Sequence, residues 1–321
     1  MTIQELNTRQ GWTLSQKIDH AVGTVEAFLS RTGKVPYVSF SGGKDSTVLL
    51  DIVRRFVDRD IKAVFCNTGN EYPEIVRFVR STENVTIIRP GITVREVIGK
   101  YGFPLISKEQ AHGIRQAKTT KSERLLSIRL HGTDAKRGYT SGKIADRWQY
   151  LIKKPFMVSE QCCDCLKKRP FAKYGKQTGE VPILGVMAGE SDLRKQQYIR
   201  RGGCNSFQNN HIASYPISIW TDADIWAYLR KFKVPYCELY DKGHTRTGCM
   251  FCGFGAHIEK VSRFELLYDL HPKAYNVFMD YQNNGYTYRE ALRAIGVQLP
   301  DETPRLFTSK DFSNQIIKAI C

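Results

Sequence analysis

The spacing of apolar residues along the chain predicts that strands and helices alternate. Apolar positions recur at helical spacing over residues 14–29, where they would form the buried face of a helix. Short β-prone runs predict strands at 35–39, 63–66, 85–89, 181–187 and near 215–219. Helical spacing recurs at 46–57, 73–80, 94–101, 261–270, 272–283 and 288–295.

This alternation predicts an α/β fold with a doubly wound parallel sheet that helices cover on both faces. Residues 107–155 interrupt the pattern with a basic and initially helix-prone stretch, which we interpret as an insertion. After residue 255 the chain is mainly helical. We therefore expect one domain over residues 1–255, which contains the insertion, and a helical C-terminal extension over residues 256–321.

A Gly-rich turn follows the first strand predicted by the pattern. Residues 39–47 have the sequence Ser-Phe-Ser-Gly-Gly-Lys-Asp-Ser-Thr, and a predicted helix comes directly after them. The first N–H groups and the positive dipole end of a helix attract anions, and glycines allow close approach of the backbone. The turn is therefore predicted to bind the phosphates of a nucleotide. An ordinary strand–turn–helix connection is the alternative interpretation.

The charged residues of the turn have distinct expected roles. Lys44 would bring a mobile positive charge to the phosphates, whereas Asp45 is best explained if it helps to place Mg²⁺. Both are candidate catalytic residues. The order of residues differs from that of the Walker loop. The candidate nucleotide-binding residues of the turn are Ser39, Ser41, Gly42, Gly43, Lys44, Asp45, Ser46 and Thr47.

The net charge indicates a polyanionic partner. The chain has 48 Lys and Arg residues against 32 Asp and Glu, a net charge of +16. The excess concentrates at residues 112–154 and 166–201, which suits a surface for nucleic acid or a phosphorylated small molecule. Within the first stretch, only Tyr139, Trp148 and Tyr150 could stack on bases. Solvated helix faces rich in lysine are the alternative explanation.

The composition predicts a cytoplasmic protein with a sizeable core. Hydrophobic residues make up 41% of the 321 residues. No apolar run approaches the ~18 residues needed to span a bilayer. The first ten residues are polar and lack an apolar signal segment.

The nine cysteines include two clusters whose spacing indicates metal binding. Residues 162–165 read Cys-Cys-Asp-Cys, and residues 249–252 read Cys-Met-Phe-Cys. A disulfide framework is not expected in the cytoplasm, while thiolate clusters suit an iron–sulfur cluster or a zinc ion. Buried, inert thiols are the remaining alternative. Cys66, Cys204 and Cys237 are isolated and are expected to be core or incidental thiols.

The motifs resemble those of a known family. The complete Ser-Gly-Gly-x-Asp-Ser turn resembles the signature of the PP-loop superfamily, whose adenine nucleotide alpha-hydrolase (HUP-like) fold binds ATP and whose members cleave it to AMP and pyrophosphate. The paired cysteines with Lys167 and Pro170 resemble the CCxxRKxxPL motif of adenylylsulfate reductases, although Leu166 stands where that family usually has Arg. Residues 215–217, 220–228, 234–236 and 239–243 are also similar to the phosphoadenylylsulfate (PAPS) reductase family.

The resemblance implies further site residues. In similar proteins the two cysteine motifs hold a [4Fe–4S] cluster, which by position implies Cys162, Cys163, Cys249 and Cys252, with Cys165 as a thiol that could substitute for one of them. Thr68 and Gly69 would line the nucleotide pocket; they belong to a stretch similar to DTGxxxPE, in which Asn67 replaces the Asp. Arg194, the third candidate catalytic residue, would face a phosphate or sulfate of the substrate.

The chain departs from the reductases in two respects. It lacks the C-terminal ECGLH-type segment that carries their nucleophilic cysteine, and only the final residue, Cys321, could replace that thiol. It also retains the Lys44–Asp45 pair, which the degenerate loops of the reductases lack. Among relatives, this combination resembles enzymes of DNA phosphorothioation, cluster-containing tRNA thiolases, and phage- or CRISPR-associated reductase-like proteins.

Three functions are consistent with these features. The first is an ATP pyrophosphatase that adenylates a target such as nucleic acid for sulfur transfer, using a sulfur donor such as a cysteine desulfurase. The second is a PAPS or adenylylsulfate reductase that releases sulfite with a thioredoxin-like thiol donor. The third is an accessory subunit that binds ATP and nucleic acid without turnover. An oligomer is compatible with each, and no membrane association is expected.

Overall fold

The computed structural model describes residues 2–134, 138, 142–208 and 211–300. Its helices are α1 Ile3–Gln10, α2 Leu14–Thr32, α3 Lys44–Phe56, α4 Pro73–Ser81, α5 Val94–Tyr101, α6 Lys108–Thr119, α7 Glu123–His131, α8 Gln161–Cys163, α9 Arg169–Thr178, α10 Asp192–Arg201, α11 Asp222–Phe232, α12 Arg263–Leu270, α13 Pro272–Met279 and α14 Tyr288–Arg293. Its strands are β1 Pro36–Ser39, β2 Ala63–Cys66, β3 Val85–Ile88, β4 Leu105–Ile106, β5 Val181–Leu184, β6 Asn205–Gln208, β7 His211–Ser214, β8 Gly253–Phe254, β9 Gln282–Asn283 and β10 Tyr286–Thr287.

The chain divides into two compact units, each built from two separate segments. The first unit comprises Met1–Pro90 and Arg169–Thr247. The second comprises Gly91–Lys168 and the chain from Gly248 onward. The boundary expected at residue 255 therefore falls inside the second unit, and the insertion expected over residues 107–155 lies in its first segment.

The first unit contains the doubly wound sheet expected from the sequence. Its strand order is β3-β2-β1-β5-β7-β6, and every neighbouring pair is parallel except the β6–β7 hairpin. From β1 the chain first builds the sheet toward β3 and later returns to the other side of β1 with β5. The point between β1 and β5 is where ligands bind in folds of this kind.

Strand β1 is covered on both faces because its neighbouring side chains point in opposite directions. Tyr37 packs against Phe171 and Tyr174 of α9, with ring centroids 6.3 and 5.4 Å apart. Val38 points to the opposite face and is fully buried. The apolar residues of this strand therefore serve two helical layers, as a parallel sheet requires.

The sequence pattern located most elements, but the helix predicted over 272–283 ends at Met279, with Gln282–Asn283 in β9, and the stretch at 215–219 was misassigned. The prediction of a strand near 215–219 is wrong, because β7 ends at Ser214 and the chain then turns. The backbone N–H and the hydroxyl of Ser218 both donate to the carbonyl of Tyr215, at 3.1 and 2.8 Å. Ile217 and Ile219 are fully buried. Their apolar character therefore reflects burial and not extended backbone.

The second unit is mainly helical, with short strand pairs. β4 pairs with β8 in parallel, and β9 pairs with β10 in an antiparallel hairpin. α6 and α7 occupy the start of the expected insertion, and α12, α13 and α14 lie in the expected C-terminal extension. The part of that extension from residue 301 onward lies outside the described residues. Within the described ranges, no helix is long and apolar enough to cross a bilayer.

A buried ion pair fixes the start of α11 against the N-terminal helices. The ammonium of Lys17 donates to a carboxylate oxygen of Asp224 at 2.5 Å and to the carbonyl of Gln10 at 2.7 Å. Asp224 also accepts from the backbone N–H of Thr221, the residue that caps α11. Because Lys17 is only 2% exposed, loss of its charge would leave a carboxylate without its cation in a desolvated place.

We therefore expect Lys17→Met to destabilise the first unit by about 3 kcal/mol, the usual cost of removing one member of a buried ion pair. Lys34→Met is the matched control, because Lys34 is exposed. Urea unfolding followed by circular dichroism measures both variants. Equal stabilities for the two would show that the pair does not hold this part of the fold.

Candidate functional site

The Gly-rich turn between β1 and α3 has the strand–turn–helix geometry expected of an anion site. α3 begins at Lys44, and its N-cap residue, Gly43, offers no side chain to the first helical N–H groups. Gly42 adopts a φ of +71°, and a Cβ atom there would approach Ile75 and Val79 of α4 to 2.9 Å. A side chain at Gly42 would therefore be disfavoured by both the backbone and the packing.

The hydroxyl groups of the turn bond mainly to the turn itself. Ser46 and Thr47 donate to the carbonyl of Gly43 at 2.9 and 3.0 Å, and the backbone N–H of Ser41 donates to Ser46 Oγ at 3.1 Å. Ser46 and Thr47 are buried. These two residues hold the shape of the turn, whereas Ser41 and Gly43 face the adjacent cavity.

A cavity of about 510 Å³ opens beside the turn, at the point between β1 and β5. Its volume lies in the range of small-molecule sites. The end of β5 approaches α3 closely, since a Cβ atom on Gly185 would lie 3.2 Å from Cα of Ser46. The cavity is lined by Gln10, Ser41, Gly43, Lys44, Asp45, Gly185, Met187, Gly189, Glu190, Arg194, Trp220, Thr221, Asp222, Tyr240, Thr245, Arg246 and Thr247.

Lys44 is buried between two carboxylates on the wall of this cavity. Its Nζ atom lies 2.6 Å from Asp222 and 3.0 Å from Asp45. Burial alone would lower the pKa of Lys44, but its bonds to Asp222 and Asp45 outweigh burial and raise the pKa above its ordinary value. The amine is therefore held as an ammonium ion at the N-terminus of α3.

The cavity contains three acidic and three basic side chains. Arg194 forms an ion pair with Glu190, and the exposed Arg246 is the third cation. Burial raises the pKa of Asp45, and the nearby Glu190 and Asp222 act in the same direction, whereas Lys44 opposes them. The site therefore combines groups that attract phosphate with carboxylates that would repel it.

The remaining residues expected at the site lie outside the cavity wall. Ser39, Gly42, Ser46, Thr47, Thr68 and Gly69 are not among the lining residues. Thr68 is buried, and both its hydroxyl and its backbone N–H donate to the carboxylate of Glu71 at 2.9 Å. Their roles toward a nucleotide remain predictions.

Several cavity residues were not identified from the sequence. Asp222, Glu190, Tyr240 and Arg246 come from segments far from the Gly-rich turn. The stretch around Asp222 and that around Tyr240 carried a family resemblance, which is the signal that could have marked them. Among the described residues, no three His, Cys, Asp or Glu side chains form a group that could hold a metal ion.

The cysteine clusters both lie in the second unit. Cys162 and Cys163 end α8, and a single π-helical turn over Asp164–Lys168 follows them. Such turns are rare in proteins, and those that occur are often found at functional sites. In the other cluster the backbone N–H of Cys252 donates to the carbonyl of Cys249 at 3.2 Å, just before β8.

The thiols of these clusters influence one another. A hydrogen bond that Cys162 donates to its neighbour Cys163, together with burial, raises the pKa of Cys162, and Cys252 and Cys249 contribute in the same direction. The same bond lowers the pKa of Cys163, with help from Lys108 and Lys167. Burial raises the pKa of Cys252. The four predicted ligands are therefore close enough to interact.

The other cysteines have different surroundings. Cys165 is buried, whereas Cys162 and Cys163 are only partly buried. Cys66, Cys204 and Cys237 are buried as well. Cys321 lies outside the described residues.

Much of the basic charge at residues 112–154 is paired within the second unit. Arg115 bonds to Glu160, Arg124 to Asp134, and Lys118 to two backbone carbonyls. The interaction between Arg115 and Glu160 helps to lower the pKa of that carboxyl to about 2, against the effect of its burial. Of the aromatic residues considered for base stacking, Trp148 is buried and Tyr139 lies outside the described residues. These pairings favour a structural role for much of this charge.

The chain is similar to two uncharacterised proteins of Methanocaldococcus jannaschii. It is 28% identical to one over 262 residues and 27% identical to the other over 240 residues. These matches cover 80% and 73% of this chain, but only 50% and 39% of the relatives. The chain therefore spans half or less of the length of these relatives.

A named enzyme is also similar over most of its length. The chain is 21% identical over 237 residues to the adenosine 5′-phosphosulfate reductase of Pseudomonas aeruginosa, a match that covers 71% of this chain and 70% of that enzyme. The family model described as the phosphoadenosine phosphosulfate reductase domain matches residues 35–128 and 107–253. These matches include the Gly-rich turn, the cavity residues from Ser41 to Thr247 and both cysteine clusters, and the chain belongs to the phosphoadenosine phosphosulfate reductase domain family.

Proposed function

We propose that this chain binds ATP with Mg²⁺ and cleaves it between the α and β phosphates to adenylate a target for sulfur transfer. The observation that carries this proposal is the position of Lys44, a buried ammonium at the N-terminus of α3 between Asp45 and Asp222. The nucleotide site belongs to the first unit, and a cysteine-bound cluster belongs to the second.

The cation set suits a pyrophosphate leaving group. Negative charge develops on the β and γ phosphates as the bond to the α-phosphorus breaks, and a fixed positive charge at that point lowers the barrier. Lys44 and the first N–H groups of α3 would supply that charge from one side of the cavity. Arg194 and Arg246 line the same cavity and would neutralise the remaining phosphate oxygens.

The carboxylates favour a metal–nucleotide over a phosphosulfate. Asp45 and Asp222 would repel an anion that arrives without a cation, because both acids flank the ammonium that should attract it. Mg²⁺ is commonly bound by one or two carboxylates together with substrate phosphates. We therefore assign Asp45 as the residue that would hold Mg²⁺ with the nucleotide, as expected from the sequence.

The target would react in two steps. An oxygen atom of the target attacks the α-phosphorus of ATP, so that the target is adenylated and pyrophosphate leaves with Lys44 beside it. The outer sulfur of a persulfide on a donor such as a cysteine desulfurase then displaces AMP, and a thiol reductant cleaves the S–S bond to the donor, so that the sulfur takes the place of that oxygen. The net charge of +16 supports nucleic acid as the target class.

We assign a [4Fe–4S] cluster to the cysteines, as the family resemblance implies, and a zinc ion is the alternative. Cys162, Cys163, Cys249 and Cys252 would hold the cluster through their thiolates. When bound, the cluster would supply electron-transfer or Lewis-acid chemistry for the handling of sulfur.

The second candidate is a sulfonucleotide reductase. The similarity to the Pseudomonas aeruginosa enzyme over 71% of this chain favours it. This reaction requires a thiol that attacks the sulfate sulfur, and that thiol would come from Cys321 or from a partner. It also requires that Asp45 and Asp222 tolerate a phosphosulfate beside Lys44.

Product analysis separates these functions. The purified chain is incubated without oxygen with ATP, Mg²⁺ and RNA or DNA, and separately with PAPS or adenylyl sulfate and a thiol donor. AMP and pyrophosphate from ATP would support our proposal. Sulfite from either sulfonucleotide would contradict it in favour of the reductase. Bound ATP without either product would instead favour a non-catalytic subunit.

Lys44→Met should reduce AMP formation by about 100-fold or more, because removal of one preorganised charge at a developing anion typically costs that much. The rate of AMP release at saturating ATP measures this effect. Lys176→Met is the matched control, since Lys176 lies exposed on α9. Full activity of Lys44→Met would rule out its proposed role.

Replacement of one predicted cluster ligand should remove the iron. We expect about four iron atoms per chain in the protein purified without oxygen, and far fewer in Cys163→Ser or Cys249→Ser. Cys165→Ser is the matched control, because Cys165 is a buried thiol outside the predicted ligand set and its variant should keep the iron. Iron analysis and the visible absorption spectrum report the outcome. Loss of iron only in Cys165→Ser would reassign the fourth ligand.

A further inference from the structure

The N-terminus of α3 is already occupied by a side chain of the same unit. The hydroxyl oxygen of Tyr240 accepts a hydrogen bond from the backbone N–H of Lys44 at 2.8 Å. This N–H is the first of the helix, and Gly43 provides no cap for it. An uncharged oxygen therefore lies where the Gly-rich turn would be expected to bind an oxygen of a phosphate.

A second hydroxyl reinforces this arrangement. Thr247 Oγ1 lies 3.1 Å from the Tyr240 hydroxyl. A Cβ atom on Gly43 would lie only 2.7 Å from the same Thr247 Oγ1 atom. Residues 240–247, which we call the cover segment, contribute Tyr240, Thr245, Arg246 and Thr247 to the cavity wall. The cover segment thus lies directly over the turn.

The two ends of the cover segment are held differently. The ring of Tyr240 packs edge-on against Trp226 of α11, with a centroid distance of 5.5 Å and an angle of 88°. By contrast, residues 245–247 make no backbone–backbone hydrogen bonds within the described part of the chain. The contact between Thr247 and Tyr240 therefore contributes to holding a stretch that has little backbone restraint of its own.

We propose that the Tyr240 hydroxyl stands in for a phosphate oxygen and is displaced when the nucleotide binds, so that Tyr240 sets the nucleotide affinity. This inference rests on the proposed function, because it concerns the same anion site. The Lys44 side chain would undergo the same exchange, because its ammonium is paired with Asp222 and a bound phosphate would replace that carboxylate. A charged phosphate oxygen accepts a stronger hydrogen bond than a neutral hydroxyl, so the exchange is favourable at the Lys44 N–H.

The proposal predicts the sign of a conservative substitution. Tyr240→Phe keeps the ring against Trp226 but removes the competing oxygen, so MgATP should bind about threefold to tenfold more tightly, as expected for one neutral hydrogen bond. Isothermal titration calorimetry of the full chain without oxygen measures the affinity for MgATP. Tyr174→Phe is the control, because Tyr174 loses a comparable hydrogen bond to Glu180 elsewhere in the first unit.

Two outcomes would overturn the inference. Weaker binding to Tyr240→Phe would show that the hydroxyl contacts the bound nucleotide, and unchanged binding would show that it does not compete. Titration with magnesium pyrophosphate separates this inference from the proposed function. Tighter pyrophosphate binding to Tyr240→Phe, in a protein that yields no AMP from ATP, would support the displaced hydroxyl and reject the ATP cleavage. AMP formation from ATP, with no tighter binding of MgATP or magnesium pyrophosphate to Tyr240→Phe, would support the proposed function and reject the displaced hydroxyl.

Discussion

The buried ammonium of Lys44 is the interaction on which the arrangement of the first unit depends. A desolvated cation needs acceptors, and here they come from its neighbour Asp45 and from Asp222 at the start of α11. The position of Asp222 depends in turn on the ion pair between Lys17 and Asp224, which fixes the beginning of that helix. Folding of the first unit thus brings three distant segments together around one charge.

The same constraint gives the cavity its chemical character. Lys44 and Arg194 are paired with carboxylates, and the first N–H of α3 is paired with Tyr240. Phosphate groups can exchange for these internal acceptors without leaving a buried donor unsatisfied. The carboxylates that are released would then face a metal–nucleotide, which is consistent with a preference for MgATP.

The second unit organises its thiols by local backbone geometry. One pair of cysteines ends a short helix that continues into a π-helical turn, and the other pair closes a tight turn before β8. The π-helical turn places Cys165 in a buried position next to the paired cysteines. This explains in physical terms why three thiols so close in sequence need not be equivalent.

The sequence pattern predicted the parallel sheet well because its strands are apolar runs bounded by turns, and the helix over 94–101 matches α5. It failed near 215–219, where Ile217 and Ile219 are buried in a turn and resemble a strand in composition alone. The Gly-rich turn was visible because its residues are contiguous. Asp222 and Tyr240 were not recognised as its partners, because their contacts with Lys44 depend on tertiary folding and leave no local periodicity.

The measurement that tests this account most directly is a crystal structure of the full chain with Mg²⁺ and the α,β-methylene analogue of ATP, which resists cleavage at the proposed bond. We predict that the β and γ phosphates lie at the N-terminus of α3, that Lys44 Nζ contacts them in place of Asp222, and that Mg²⁺ lies on Asp45. A triphosphate bound elsewhere, with Lys44 still paired to Asp222, would contradict the central claim that this ammonium is the phosphate-binding group.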